Sequence, residues 1–145
     1  MKRMIVCAMI ALLGIGAFAQ APRNTQRVVL VTEYPSCKDA LDALIIDLLP
    51  DMNLTPCWID SEYGLVKTED EEATSTTARM SYFFQIREED GLICIEVTGK
   101  YLSYLSDKYF KRIQMGGMRG SLQERTFREM EQTALYIPHL EVLYR

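Results

Sequence analysis

The stretch Met80-Ser-Tyr-Phe-Phe-Gln-Ile-Arg-Glu-Glu-Asp90-Gly91-Leu-Ile-Cys-Ile-Glu-Val-Thr98 decides the fold. Met80, Tyr82, Phe84 and Ile86 alternate with Arg79, Ser81, Gln85 and Arg87, the period of two expected of a strand with one buried face. Asp90-Gly91 follows, a step that tolerates the positive φ angles of a tight hairpin turn. The second run resumes the alternation, with Ile93, Ile95 and Val97 on one face and Cys94, Glu96 and Thr98 on the other. Two antiparallel strands of a half-wet sheet are predicted.

On the N-terminal side, Arg27-Val-Val-Leu-Val-Thr32 is rich in β-branched residues and closes in the turn chemistry of Tyr34-Pro35-Ser36, so it reads as a buried strand. Ser36 and Asp39 have capping-box spacing, which starts a helix. Leu41, Leu44, Ile45, Leu48, Leu49 and Met52 recur at steps of three and four, giving that helix one apolar face. Pro50 disfavours a helical Leu49, so the helix is expected to fade there. Leu54–Ile59 and Gly64–Thr68 flank the turn-rich Asp60-Ser61-Glu62-Tyr63 and predict two more strands. The polar, acid-rich residues 69–78 predict a mobile loop.

On the C-terminal side, residues 99–120 fit neither period and are broken by Gly116, Gly117 and Gly120, which predicts an extended strand end and then a loop. Ser121 and Glu124 repeat the capping box, and Phe127, Met130, Ala134 and Ile137 mark a second helix stopped by Pro138. Leu140–Tyr144 is too short to assign. The order strand, helix, four strands, helix predicts an α+β domain over residues 27–145, an antiparallel sheet with its helices on one face.

The chain has 145 residues and a net charge of −4. Lys2 and Arg3, the uncharged run Met4–Phe18 and the exit Ala17-Phe18-Ala19 have the order of a secretory signal peptide over residues 1–19. Its removal leaves 126 residues, of which 20–26 read as a flexible leader. The basic count falls from 16 to 14 against 20 acids, so the net charge becomes −6, and three cysteines remain, Cys37, Cys57 and Cys94. This length excludes a large multi-domain enzyme, and no transmembrane segment is expected in the processed chain. A periplasmic or secreted location follows.

The helix begun at Ser36 and the hairpin Met80–Tyr101 around Asp90-Gly91, together with the Ala17-Phe18-Ala19-Gln20 exit, resemble a family of small exported Bacteroidetes proteins of unknown function. Their domain is similar to half of the TATA-box-binding protein, and the resemblance spans roughly residues 27–137. It implies a TATA-box-binding-protein-like sheet and no catalytic residues. The helix-grip domain of lipoproteins that dock onto outer-membrane assembly machinery is similar as well.

Chemistry is sparse. Cys37 and Cys57 are candidates for a disulfide, the alternative being free thiols that pack as small hydrophobes. No C-x-x-C motif, metal-ligand spacing or cofactor motif is present, and His139 is the single histidine. Asp60, Glu62 and Glu69–Glu72 offer oxygen atoms but lack EF-hand spacing, so they read as solvated charge. Lys100, Lys108, Lys111, Arg112 and Arg119 are interleaved with Tyr101, Tyr104, Tyr109 and Phe110. Aromatic and basic residues together suit recognition of a protein, a glycan or an anionic surface; the alternative is that the rings cover a sheet edge while the charges are solvated. A strongly acidic exported chain lacks the footprint for nucleic acid. The reading is an exported, non-catalytic binding or assembly domain of the envelope, holding a protein or glycan through the sheet face away from the helices or through residues 100–119. The alternatives are a carrier of a small apolar ligand between sheet and second helix, lined by Phe84, Ile95, Phe127 and Met130, and, behind it, a small hydrolase using Cys94 or His139.

Overall fold

A computed structural model describes residues 20–73, 78–105 and 108–145; the expected signal peptide lies outside them. Strand β1 (Val28–Thr32) leads into helix α1 (Cys37–Ala43), a π-helical turn (Leu44–Leu48) and a short helix α2 (Leu49–Asp51). Strands β2 (Pro56–Asp60), β3 (Leu65–Thr68), β4 (Glu71–Glu72), β5 (Ala78–Glu89), β6 (Leu92–Ser103) and β7 (Lys111–Arg112) follow, then helix α3 (Leu122–Leu135) and strand β8 (Glu141–Tyr144). The strands form one open sheet in the order β2-β3-β5-β6-β1-β8, with β4 on β5 and β7 on β6. Every pairing is antiparallel. The chain is an α+β domain.

The central hairpin forms as its alternation predicts, from Ala78↔Ser103 to Glu89↔Leu92. Asp90 (φ 51°) and Gly91 (φ 77°) supply the two left-handed turn residues. Both helices start at serine caps, Ser36 accepting from the Asp39 amide and Ser121 from the Glu124 amide. Helices and sheet enclose one core in which Leu44, Phe84, Ile95, Phe127 and Met130 are fully buried. Both helical segments therefore cover the same side of the sheet.

Four details depart from the expectations. Leu49 is helical (φ −62°, ψ −45°) and the helix continues past Pro50. A proline clashes with the carbonyl four residues back in a regular α-helix; here the preceding turn is π-helical, with the Leu49 amide bonded to the Leu44 carbonyl, and Pro50 sits in the first turn of the next segment, where its missing N–H costs little. Part of the acidic stretch is strand β4 rather than loop, because Glu71 and Glu72 pair with Met80 and Arg79; residues 74–77 of that loop lie outside the described set. Between 99 and 120 the chain is more ordered than expected, as Lys111 and Arg112 pair with Tyr101 and Lys100. The closing residues 141–144 form β8 on the outer side of β1.

Gly99 shows why β6 can carry this load. A Cβ there would stand 2.7 Å from Ile113 Cδ1, 3.1 Å from the Ser81 carbonyl oxygen and 3.2 Å from Met130 Sδ. A side chain there would displace the Ile113 tip and crowd the Ser81 carbonyl and Met130, so glycine suits the close approach of α3 and the segment after β7 to the strand.

Candidate functional site

Because the helices take one side of the sheet, its other face is left to whatever the alternate strand positions carry. At one end Val29, Val31 and Cys94 form a small second core with Leu143. A chain of ion pairs borders it: Arg87 Nη2 is 2.9 Å from Glu96 Oε2, Arg27 Nε is 3.7 Å from Glu96 Oε1, and Arg145 Nη1 is 3.5 Å from Glu89 Oε1. Arg87 Nε approaches Glu89 at 2.9 Å but is not aligned with it as a hydrogen bond. Burial, with Glu89 adding to it, pushes the Cys94 thiol up. The thiolate is the nucleophilic form, so this environment makes Cys94 a poor nucleophile.

The other end of the open face is a trough of about 410 Å³. Register builds its floor in two rows. In the first, Lys67 of β3 faces Phe83 of β5, which faces Thr98 of β6; Arg27, just before β1, extends the row, since Val28 pairs with Val97. In the second, Ser81 faces Lys100, which faces Arg112 of β7. Among the described residues, four cations, Arg27, Lys67, Lys100 and Arg112, thus line the trough against one carboxylate, Glu96. Arg27 is committed to Glu96, and Arg112 donates to Gln26 Oε1 at 2.7 Å. Lys67 and Lys100 have no hydrogen-bond or ion-pair partner among the described residues.

A second concavity, of about 350 Å³, lies at the edge of the helix layer between α2, β4 and α3. Asp51, Glu71, Glu72 and Glu129 give it an acidic rim. Tyrosines engage part of that rim: Tyr136 Oη donates to Asp51 and Tyr104 Oη to Glu72, each at 3.5 Å. On its wall burial raises the Tyr82 phenol well above its usual range, while a hydrogen bond with Thr133 opposes that shift.

No protein-family model matches this chain, and no curated protein is significantly similar to it. The geometry therefore carries the functional reading alone. Of the aromatic and basic residues singled out in the sequence, Arg112 enters the trough, with Lys100 from the same segment. Tyr101 is buried against the main core, which removes it from any surface. Lys111 sits beside Arg112 on β7, and Tyr104, Lys108, Tyr109 and Phe110 are exposed in the β6–β7 connection. They form a neighbouring surface rather than part of the trough.

Cys37, Cys57 and Cys94 are all free, so the Cys37–Cys57 bridge is not formed. Cys37 lies with Ser61, Glu62, Tyr63 and Gly64 beside the β2–β3 turn. Cys57 is at the other end of β2; at about 3.3 Å per residue the four positions from Cys57 to Ser61 span about 13 Å, against the Cα separation of about 7 Å or less that a disulfide needs. Asp60, weighed as a calcium ligand, uses Oδ1 to accept from the amides of Glu62 and Tyr63 at 3.1 Å. His139 Nδ1 is 2.6 Å from the Ile137 carbonyl oxygen. Among the described residues no group of three or more His, Cys, Asp or Glu side chains is placed to hold a metal ion, and no helix is long and apolar enough to cross a membrane. Phe84, Ile95, Phe127 and Met130, named for an apolar carrier cavity, are each fully buried in the core.

The residues that sequence reasoning missed are Arg27, Lys67, Ser81, Phe83 and Thr98. Ser81 and Thr98 occupy outward positions of the predicted hairpin, and that alternation was the available signal. Nothing local marks Lys67 as their neighbour.

Proposed function

We propose that the protein is a non-catalytic binding or assembly domain of the cell envelope, exported by its N-terminal segment, that holds its partner on the open face of the sheet. The single observation that carries this reading is the pair Lys67 and Lys100, cations without a partner among the described residues, over a trough in a protein with an overall excess of acids. Unpaired lysines converging on a concave surface are poised for a negatively charged partner group. The family resemblance to exported TATA-box-binding-protein-like domains is consistent with a binding role, and the poor nucleophilicity of Cys94 supports it. Envelope proteins and glycans are the partner classes this location would offer.

The test is site-specific photo-cross-linking in cells. A benzophenone amino acid at Phe83 on the trough floor is expected to give a discrete adduct, and one at Ile46, exposed on the helical side, is expected to give none. Lys67→Glu with Lys100→Glu should abolish the Phe83 adduct without changing the amount of folded protein. Equal adducts from both positions, or an adduct indifferent to charge reversal, would overturn the assignment of the face.

A further inference from the structure

We infer that the trough is a binding site for a phosphate monoester group, an inference that rests on the open face being the working surface. Four features of the trough converge on that chemistry. Lys67 and Lys100 sit on either side of β5, two strands apart and two residues out of step, about 12 Å between Cα atoms at ordinary sheet spacings. Both long side chains can close over the Ser81 and Phe83 floor from opposite sides, and neither is engaged elsewhere among the described residues.

The hydroxyls of Ser81 and Thr98 rise from the same floor and also have no hydrogen-bond partner among the described residues. Among the described residues the donors left for a ligand are the two ammonium groups, the two hydroxyls and the remaining guanidinium N–H groups of Arg112, whose charge the neutral Gln26 leaves in place. A phosphate monoester presents up to two negative charges and three strong acceptor oxygens, so it can engage both lysines and the floor hydroxyls at once. A carboxylate brings one charge and two oxygens and leaves a lysine uncompensated. Phe83, half-buried between the two lysines, offers a ring face for the body that bears the ester. The volume of about 410 Å³ lies in the range of small-molecule sites, about 300–1,000 Å³.

Glu96 and Arg27 complete the design. Their ion pair at 3.7 Å closes the end of the trough next to the small second core, and the Glu96 carboxylate repels an anion that strays from the lysine end. Specificity of that kind arises from a placed repulsion as well as from attraction.

The phosphate can belong to a soluble ester or to a lipid headgroup, and the experiment separates the two. Isotope-labelled protein is titrated with inorganic phosphate, a hexose 6-phosphate and the neutral hexose, with backbone amide shifts followed by NMR; co-sedimentation is measured with vesicles of phosphatidic acid and of phosphatidylcholine. The expected result is saturable shifts of Ser81, Phe83 and Thr98 with a phosphate ester and none with the neutral hexose. Affinity should rise as pH is raised through about 6, where the monoester gains its second charge. Lys67→Gln with Lys100→Gln should weaken binding at least tenfold at unchanged thermal stability. Sedimentation with phosphatidic acid vesicles but not phosphatidylcholine, with the same lysine dependence, would assign the headgroup as the source; a response to the soluble ester alone would assign the free ester.

A response to the neutral hexose equal to that of the ester, or binding indifferent to the double variant, would overturn the inference. So would silence with every phosphate probe. If the Phe83 cross-link still depends on Lys67 and Lys100 in that last case, the face binds an acidic macromolecule and only the phosphate assignment falls; if the cross-link fails too, both fall.

Discussion

The two concave regions of the molecule treat their charges in opposite ways. Around the helix-layer groove, carboxylates meet phenols: Tyr136 donates to Asp51 and Tyr104 to Glu72, while deeper against α3 Glu131 accepts from Tyr144 at 2.6 Å as well as from Arg128 at 2.9 Å. On the open face, carboxylates meet arginines, Glu96 with Arg87 and Arg27, Glu89 with Arg87 and Arg145. A tyrosine gives a carboxylate one neutral donor and leaves its charge in place. An arginine neutralises the carboxylate, so the open face consumes its acids and exposes the cations left over, Lys67, Lys100 and Arg112. Net charge of the chain is thus a poor guide to the charge of a surface, because strand alternation sorts residues by face before any partner is met.

Removing the element that serves both regions has the largest expected effect. Phe127 is fully buried on α3, which carries Glu129 and Thr133 to the groove and packs beneath β6, the strand that carries Thr98 and Lys100 to the trough. Phe127→Ala is expected to cost about 3–5 kcal/mol in denaturant unfolding, with losses at both concavities. A variant that loses one region and keeps the other intact would show that the two are independently held.

A smaller change should separate them. Glu96 is buried between Arg27 and Arg87, and Glu96→Gln removes the charge that both arginines answer. Breaking charged hydrogen bonds of this kind is expected to cost about 1.5–3 kcal/mol, read as a shift in the urea midpoint. The same substitution frees Arg27 toward the trough and removes the one carboxylate among the described lining residues, so affinity for the hexose phosphate should rise severalfold. A fall in affinity would mean that Glu96 itself accepts a hydrogen bond from the ligand. The groove should be untouched.

The fold was legible wherever the deciding contacts are local. The alternation of residues 80–98 specified the hairpin face by face, and Ser36 and Ser121 marked the helix starts through bonds that span three residues. It was not legible where a distant partner decides. Glu141–Tyr144 has no pattern of its own and becomes a strand because β1 presents an open edge more than a hundred residues away in the chain. The trough failed to announce itself for the same reason. A contiguous segment, 100–112, concentrates aromatic and basic residues, yet a sheet surface is read across strands, and Lys67, Ser81, Thr98 and Arg112 become neighbours only through three different pairings. Pro50 misled because helix-breaking rules describe regular α-helices, whereas the turn before it is π-helical.

The smallest expected effect tests the phenol side of the contrast. Burial, reinforced by the hydrogen bond and charge of Glu131, pushes the Tyr144 phenol up to about 12. In the unfolded chain the same phenol ionises near pH 10, so between about pH 10 and 12 the folded state holds a proton that the unfolded state has released. Stability then falls as pH rises through that window, and the stabilisation from the Tyr144–Glu131 pair is fully present below it. Tyr144→Phe should leave a shallower alkaline decline in the unfolding midpoint, with a modest loss at neutral pH from the missing hydrogen bond. Tyr82, also raised, keeps part of the slope in that variant. Identical alkaline slopes would mean that the Arg128 ion pair, 2.9 Å long, holds Glu131 without help from the phenol, and that arginine rather than tyrosine governs carboxylates on both sides of the sheet.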